Sequence, residues 1–68
     1  MRVTVNGREQ ELREGSTVAE LVADLAELHA GRGIAVALDD EVVPRAQWPR
    51  TALADGARVE VLSAVQGG

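Results

Sequence analysis

The 68-residue chain has no cysteine, no lysine, no phenylalanine and no tyrosine, and only one tryptophan, one histidine and two prolines. Each gap closes off a kind of chemistry. Without cysteine there is no disulfide framework, no thiol nucleophile and no thiolate metal site, so any sulfur chemistry must run through another group. Without lysine the protein's own surface offers no side-chain amine to an isopeptide bond, and all seven of its basic residues are arginines. The single His29 stands late in a helical segment with no ligand cluster around it; a ring near a helix C-terminus is favoured there when charged, which accounts for it without a metal. No apolar run approaches the ~18 residues of a membrane span and no charged-then-apolar leader is present, so the expectation is a soluble cytoplasmic protein with no membrane partner. A formal charge of −4 speaks against nucleic acid and suits a basic protein partner or plain solubility. At 7.2 kDa, folding hides roughly 60% of the chain's surface. Such a core is too small to hollow into a large pocket, which argues against a self-contained enzyme with a buried substrate.

What is present is a regular alternation of short elements. Arg2-Val3-Thr4-Val5 alternates polar and apolar residues and runs into Asn6-Gly7, the pair that best fits a type I′ hairpin turn because both positions need positive φ. The returning strand, Arg8 to Arg13, has Leu12 as its only large apolar residue and reads as a charged edge strand. Thr17-Val18-Ala19-Glu20 fits a capping box, and Val18, Leu21, Val22, Leu25 and Leu28 then form one apolar helical stripe. Glu20, Asp24 and Glu27 lie off it, and Gly31 and Gly33 stop the helix. In Ile34-Ala35-Val36-Ala37-Leu38 the large residues should face the helix, leaving Ala35 and Ala37 as a flat outer face. Asp39-Asp40 turns the chain into Glu41-Val42-Val43, and Pro44 ends that short strand. Arg45 to Trp48 makes about one helical turn closed by Pro49, with Trp48 plugging the open end of the core. Asp55-Gly56 turns into the last strand, Arg58 to Leu62, with Val59 and Val61 inward and Leu62 outward beside the two alanines. One helix over a mixed sheet of four to five strands, with the first and last strands as parallel central neighbours, is an α+β fold of the β-grasp type. The expected division is a β-grasp domain over 1–63 and a flexible tail over 64–68.

That tail, Val65-Gln66-Gly67-Gly68 at its end, reads either as a frayed terminus or as a reagent. Two residues without side chains can thread a channel too narrow for any Cβ. The chemistry would then belong to the Gly68 α-carboxyl, which has a pKa near ~3.5 and is ionised at neutral pH. An ionised carboxylate is a poor electrophile, so the tail implies a partner that activates it. From Leu62 to Gly68 the extended chain spans about six steps, roughly 20 Å, enough to put the carboxyl inside another protein.

The chain resembles the ThiS sulfur carrier family of thiamine biosynthesis, which is ubiquitin-like. The resemblance covers essentially its whole length. It rests on the short length, the Asn6-Gly7 hairpin, Gly15-Ser16-Thr17-Val18 leading into the helix, the run Val42-Val43-Pro44-Arg45-Ala46-Gln47-Trp48, the Asp55-Gly56 turn and the terminal Gly67-Gly68. Related molybdopterin-synthase small subunits are longer and richer in aromatics. The resemblance implies a carrier with no catalytic residues and no bound cofactor or metal. An E1-like adenylating enzyme would use ATP and Mg²⁺ to convert the Gly68 carboxylate to an acyl-adenylate. A sulfur donor, a cysteine desulfurase or its equivalent, would supply a persulfide that leaves a thiocarboxylate, and thiazole synthase would take the sulfur. Because the sequence stops at Gly68, no proteolytic maturation is expected. Val65 and Gln66 would make extended contacts inside the partner's channel, Gly67 would give clearance there, and Ala35, Ala37 and Leu62 are the candidate partner-binding patch. The residues alone also leave open a sulfur carrier for another pathway, a ubiquitin-like covalent modifier, and a non-covalent β-grasp binding module.

Overall fold

The computed structural model describes residues 1–26 and 33–63. In chain order the elements are β1 (Arg2–Val5), β2 (Arg8–Glu11), α1 (Val18–Ala26), β3 (Ile34–Leu38), β4 (Glu41–Val43), a 3₁₀ helix (Arg45–Arg50) and β5 (Arg58–Ser63). The five strands form one sheet in the order β2-β1-β5-β3-β4. β1 and β5 run parallel and every other pairing is antiparallel. This is the β-grasp arrangement expected from the order of elements, with the carboxyl-terminal strand at its centre and a poorly apolar β2 at one edge.

Two tight turns set the register of the hairpins. Asn6 and Gly7 take φ of 51° and 83°, so Val5 pairs with Arg8, as the type I′ reading requires. Asp39 and Asp40 do the same at 48° and 73°, placing Leu38 opposite Glu41. Aspartate tolerates this left-handed region better than most residues because its short polar side chain bonds locally. Here the Asp39 carboxylate accepts the Arg58 N–H at 3.0 Å. β2 stops at Glu11 rather than continuing to Arg13. Leu12 lies just past its end, half-buried against the core, with its N–H donated to the Met1 carbonyl at 2.8 Å.

The capping box forms as read. Thr17 N–H donates to the Glu20 carboxylate at 2.9 Å, and Glu20 N–H donates to the Thr17 hydroxyl at 3.2 Å, so two otherwise unpaired amides are satisfied reciprocally. Val18, Leu21 and Val22 from α1 are buried against Val3, Val5, Val36 and Val59 from the sheet. Leu25 packs at the margin. Leu28, Glu27, His29 and Gly31 lie outside the described residues. Trp48, Leu53 and Ala57 complete the core. Trp48 donates its indole N–H to the Val43 carbonyl at 2.9 Å and carries the Arg45 guanidinium over its ring at 5.4 Å, so it fills the interior.

Pro49 does not close the 3₁₀ helix; it lies inside it. The segment is two successive turns, with Gln47 N–H on the Pro44 carbonyl at 2.8 Å and Thr51 N–H on the Trp48 carbonyl at 3.3 Å. Pro49 is the second residue of the latter turn, where its fixed φ is favourable and no N–H is needed. At the start of β1, the Met1 amine donates to the Leu12 carbonyl at 2.9 Å and lies 3.4 and 3.5 Å from the Glu11 and Glu14 carboxylates. Desolvation works against its charge, but the two carboxylates outweigh that and hold its pKa above the ordinary 8.0. No helix among the described residues is long and apolar enough to cross a membrane.

Candidate functional site

Because residues directly opposite in a ladder share a face, the registers fix what the sheet shows on the side away from α1. Val36 and Val59 are buried under the helix at 1% and 0% exposure, so their neighbours point outward. Across β3 and β5, Ala35 opposes Leu62 and Ala37 opposes Glu60; across β3 and β4, Ala37 opposes Val42. The result is a shallow trough. Ala35 and Ala37 make a low floor along β3, with Leu62 rising on the β5 side and Val42 on the β4 side. Leu62 is 67% exposed and Val42 76%, the two exposed large apolar side chains of the described residues. At a strand spacing of ~4.8 Å, these two walls stand on strands about 10 Å apart. Glu60 sits on the β5 wall next to Leu62's side of the floor, and among the described residues it makes no ion pair.

The rest of the same face differs in kind. Arg2 on β1 lies 3.8 and 3.6 Å from Glu9 and Glu11 on β2, and Arg58 pairs with Asp40 at 2.6 Å. The Arg2 pairs lie between β1 and β2, and the Arg58–Asp40 pair closes the end of the β5–β3–β4 half at the Asp39-Asp40 turn, leaving Ala35, Ala37, Leu62 and Val42 as an apolar stretch further along it. Ser63 ends β5 one residue after Leu62, so the trough borders the point where residues 64–68 begin. Val65, Gln66, Gly67 and Gly68 themselves lie outside the described residues. A shallow cleft of about 400 Å³ beside the start of α1 is lined by Arg13, Glu14, Ser16, Glu20 and Asp24, among others. Two of its polar groups are already committed, Glu20 to the helix cap and the Ser16 hydroxyl to the Arg13 carbonyl. Among the described residues, no three His, Cys, Asp or Glu side chains gather to hold a metal ion.

The ThiS family model matches residues 3–68. This chain belongs to the ThiS family. It is 31% identical over 68 residues, the whole of both chains, to the Escherichia coli (strain K12) protein named sulfur carrier protein ThiS. Among solved structures it is similar to the crystal structure of the thiamine biosynthesis protein ThiS from Geobacter metallireducens, with a TM-score of 0.82, 33% identity and full coverage of both chains. It is also similar to a solution NMR structure of a thiamine biosynthesis protein from the same organism, with a TM-score of 0.77 and 34% identity, covering 100% of this chain and 88% of that one.

Within this ThiS-family fold, the three patch residues named from the sequence come together on one face: Ala35 exposed, Ala37 half-buried and Leu62 exposed. Val42 was missed. The signal was there in the two-residue Asp39-Asp40 loop, because a loop of that length fixes the hairpin register and so sets Val42 beside Ala37.

Proposed function

We propose that this chain is a sulfur carrier for formation of the thiamine thiazole, a substrate protein whose reacting group is the Gly68 carboxylate. The observation that carries this reading is the ThiS match through residue 68, which includes the terminal Gly67-Gly68, and the full-length likeness to a protein named as a sulfur carrier supports it. The trough of Ala35, Ala37, Leu62 and Val42 is where the partners dock, next to the root of the tail. Glu60 on its rim favours a partner surface that pairs an apolar ridge with a cation. Val65, Gln66 and Gly67 then thread the partner's channel, and the missing side chains of Gly67 and Gly68 give clearance.

In the cycle, an E1-like adenylating enzyme uses ATP and Mg²⁺ to form the Gly68 acyl-adenylate, releasing pyrophosphate. The terminal sulfur of a persulfide from a cysteine desulfurase or equivalent donor attacks the acyl carbon, and AMP leaves. Cleavage of the new S–S bond by a thiol, which is oxidised to a disulfide, leaves the thiocarboxylate. Thiazole synthase takes up the sulfur. The carrier contributes position and a leaving carboxyl end, and binds no cofactor of its own. A reducing compartment suits the persulfide and thiol steps, which places the cycle in the cytoplasm.

The test is intact mass after incubation with the adenylating enzyme, ATP, Mg²⁺ and the sulfur donor, followed by a thiol-alkylating reagent. The expected result is a mass gain equal to exchange of one oxygen for sulfur, with the alkyl group on Gly68, since no cysteine competes for the label. Removal of Gly67 and Gly68 should abolish the gain while the domain stays folded. A carboxylate that remains unmodified under these conditions would replace the carrier by a non-covalent binding module.

A further inference from the structure

At its start β5 is held by strands on both flanks; towards its end one flank is open. β1 pairs with it only through Thr4↔Arg58 and Val5↔Val59. The last main-chain bond of that ladder is from Asn6 N–H to the Val59 carbonyl, 2.9 Å, after which the chain turns away at Asn6-Gly7 into β2. The next groups of β5 to face this side are the N–H and C=O of Val61, and no strand residue reaches them. The Asn6 side chain does. Its Oδ1 accepts the Val61 N–H at 2.8 Å, and its Nδ2 donates to the Val61 carbonyl at 3.1 Å. A carboxamide carries the same donor and acceptor pair as a peptide group. This one side chain therefore stands in for a further residue of β1 and extends the ladder to within two residues of Ser63. On the opposite flank the last pair is Ile34↔Ser63.

The position admits few residues. A φ of 51° is tolerated by glycine, asparagine and aspartate better than by others. Glycine has no side chain to offer, and ionised aspartate has acceptors but no donor. Asparagine alone satisfies both the turn and the clamp.

The geometry points to Asn6 as a positioning residue for the carboxyl-terminal reaction. By clamping Val61 it fixes where and in which direction residues 64–68 begin, and so how often the Gly68 carboxylate reaches a docked partner's active site. The inference rests on the carrier reading. Without the clamp, β5 beyond Val59 is held on its β3 flank alone, so the point from which the tail departs is less closely fixed and fewer docked complexes hold the carboxylate in reacting position. Asn6 is not part of the trough, and the trough residues Glu60 and Leu62 keep their pairing with Ala37 and Ala35 on the β3 flank, so docking is retained. The signature is a fall in kcat with KM for the carrier held.

Two variants test it. Asn6→Gly keeps the turn and removes both bonds; Asn6→Asp keeps the turn and the acceptor and loses the donor. Amide hydrogen exchange reads the clamp, and ATP–pyrophosphate exchange with the E1-like adenylating enzyme, over a range of carrier concentrations, reads the positioning. In Asn6→Gly the Val61 amide should exchange on the order of 5–10-fold faster with the β3 amides unchanged. Its kcat should fall several-fold with KM unchanged, and Asn6→Asp should lie between. Unchanged Val61 exchange overturns the proposal, as does faster exchange with unchanged kcat. A raised KM with unchanged kcat indicates a smaller folded fraction and overturns it too. If the unaltered protein supports no pyrophosphate exchange, the carrier reading itself is lost and this proposal with it, an outcome read on the wild-type chain and so distinct from failure of the clamp.

Discussion

Trp48 is the largest side chain of the interior, and in burying its ring it also places its one donor on the Val43 carbonyl. Replacing it removes the packing and leaves that carbonyl without its partner. Trp48→Ala should cost about 3–5 kcal/mol in a domain whose whole stability lies in the range of about 5–15 kcal/mol. Urea unfolding followed by circular dichroism would show the midpoint collapsing, and a loss under ~1 kcal/mol would mean that Trp48 lies on the surface in solution. The role of Trp48 was legible in the sequence because a lone aromatic in a chain this small has few other uses. Leu53 and Ala57, both buried at 5% exposure, were not legible. They sit between elements, where no periodicity marks them. Their burial follows from main-chain pairing that only the fold reveals, with Leu53 N–H on the Ser16 carbonyl at 2.8 Å and the Thr17↔Ala52 bridge beside it.

At the scale of the element, signals with a local cause were the readable ones. The capping box, the two left-handed turns and the alternation of β3 each depend on residues within four positions of one another, and each appears where the sequence puts it. The start of α1 (Val18–Ala26) depends on its cap, because the first helical turn is costly to form and leaves its amides without intrahelical partners. Thr17→Ala removes one half of the reciprocal pair and should lower stability by ~1 kcal/mol. Thr17→Ser should restore most of it. Thermal melts of the three proteins would check this, and equal melting temperatures would show that Glu20 alone serves the helix start. The 3₁₀ helix differs from the sequence expectation. Proline terminates an α-helix interior but not a pair of consecutive tight turns that leave the Pro49 nitrogen without a required bond.

Across the whole molecule, the site divides into a part that follows from ladder register and a part that does not. The floor and the Leu62 wall of the trough follow from alternation alone, whereas the place of Val42 depends on the register of β3 against β4, which the length of the Asp39-Asp40 loop sets. The Asn6 clamp spans 55 residues of sequence, and no local pattern announces it. Since Leu62 and Val42 are largely exposed, polar substitutions there should leave folding within ~0.5 kcal/mol of wild type while damaging any surface that uses them. Leu62→Asp and Val42→Asp are each expected to raise KM in pyrophosphate exchange by about tenfold, the effect of losing a modest interface anchor, with kcat little changed. That pattern is the reverse of the one expected at Asn6. A KM that stays put in both variants would move the docking surface elsewhere.

The strand order also bears on how the protein is made. β5 is the last strand to leave the ribosome, because chains emerge amino end first, yet it lies at the middle of the sheet. Until it arrives, the β1–β2 hairpin and the β3–β4 hairpin have no common neighbour, and isolated hairpins are at best marginal in water. A chain whose translation stops before Arg58 has two hairpins and no centre, which leaves it open to proteases. Only chains that have been synthesised nearly to the end can close the sheet. Closure of the sheet therefore waits on translation of β5, and a molecule with a closed sheet has been translated through Arg58–Ser63.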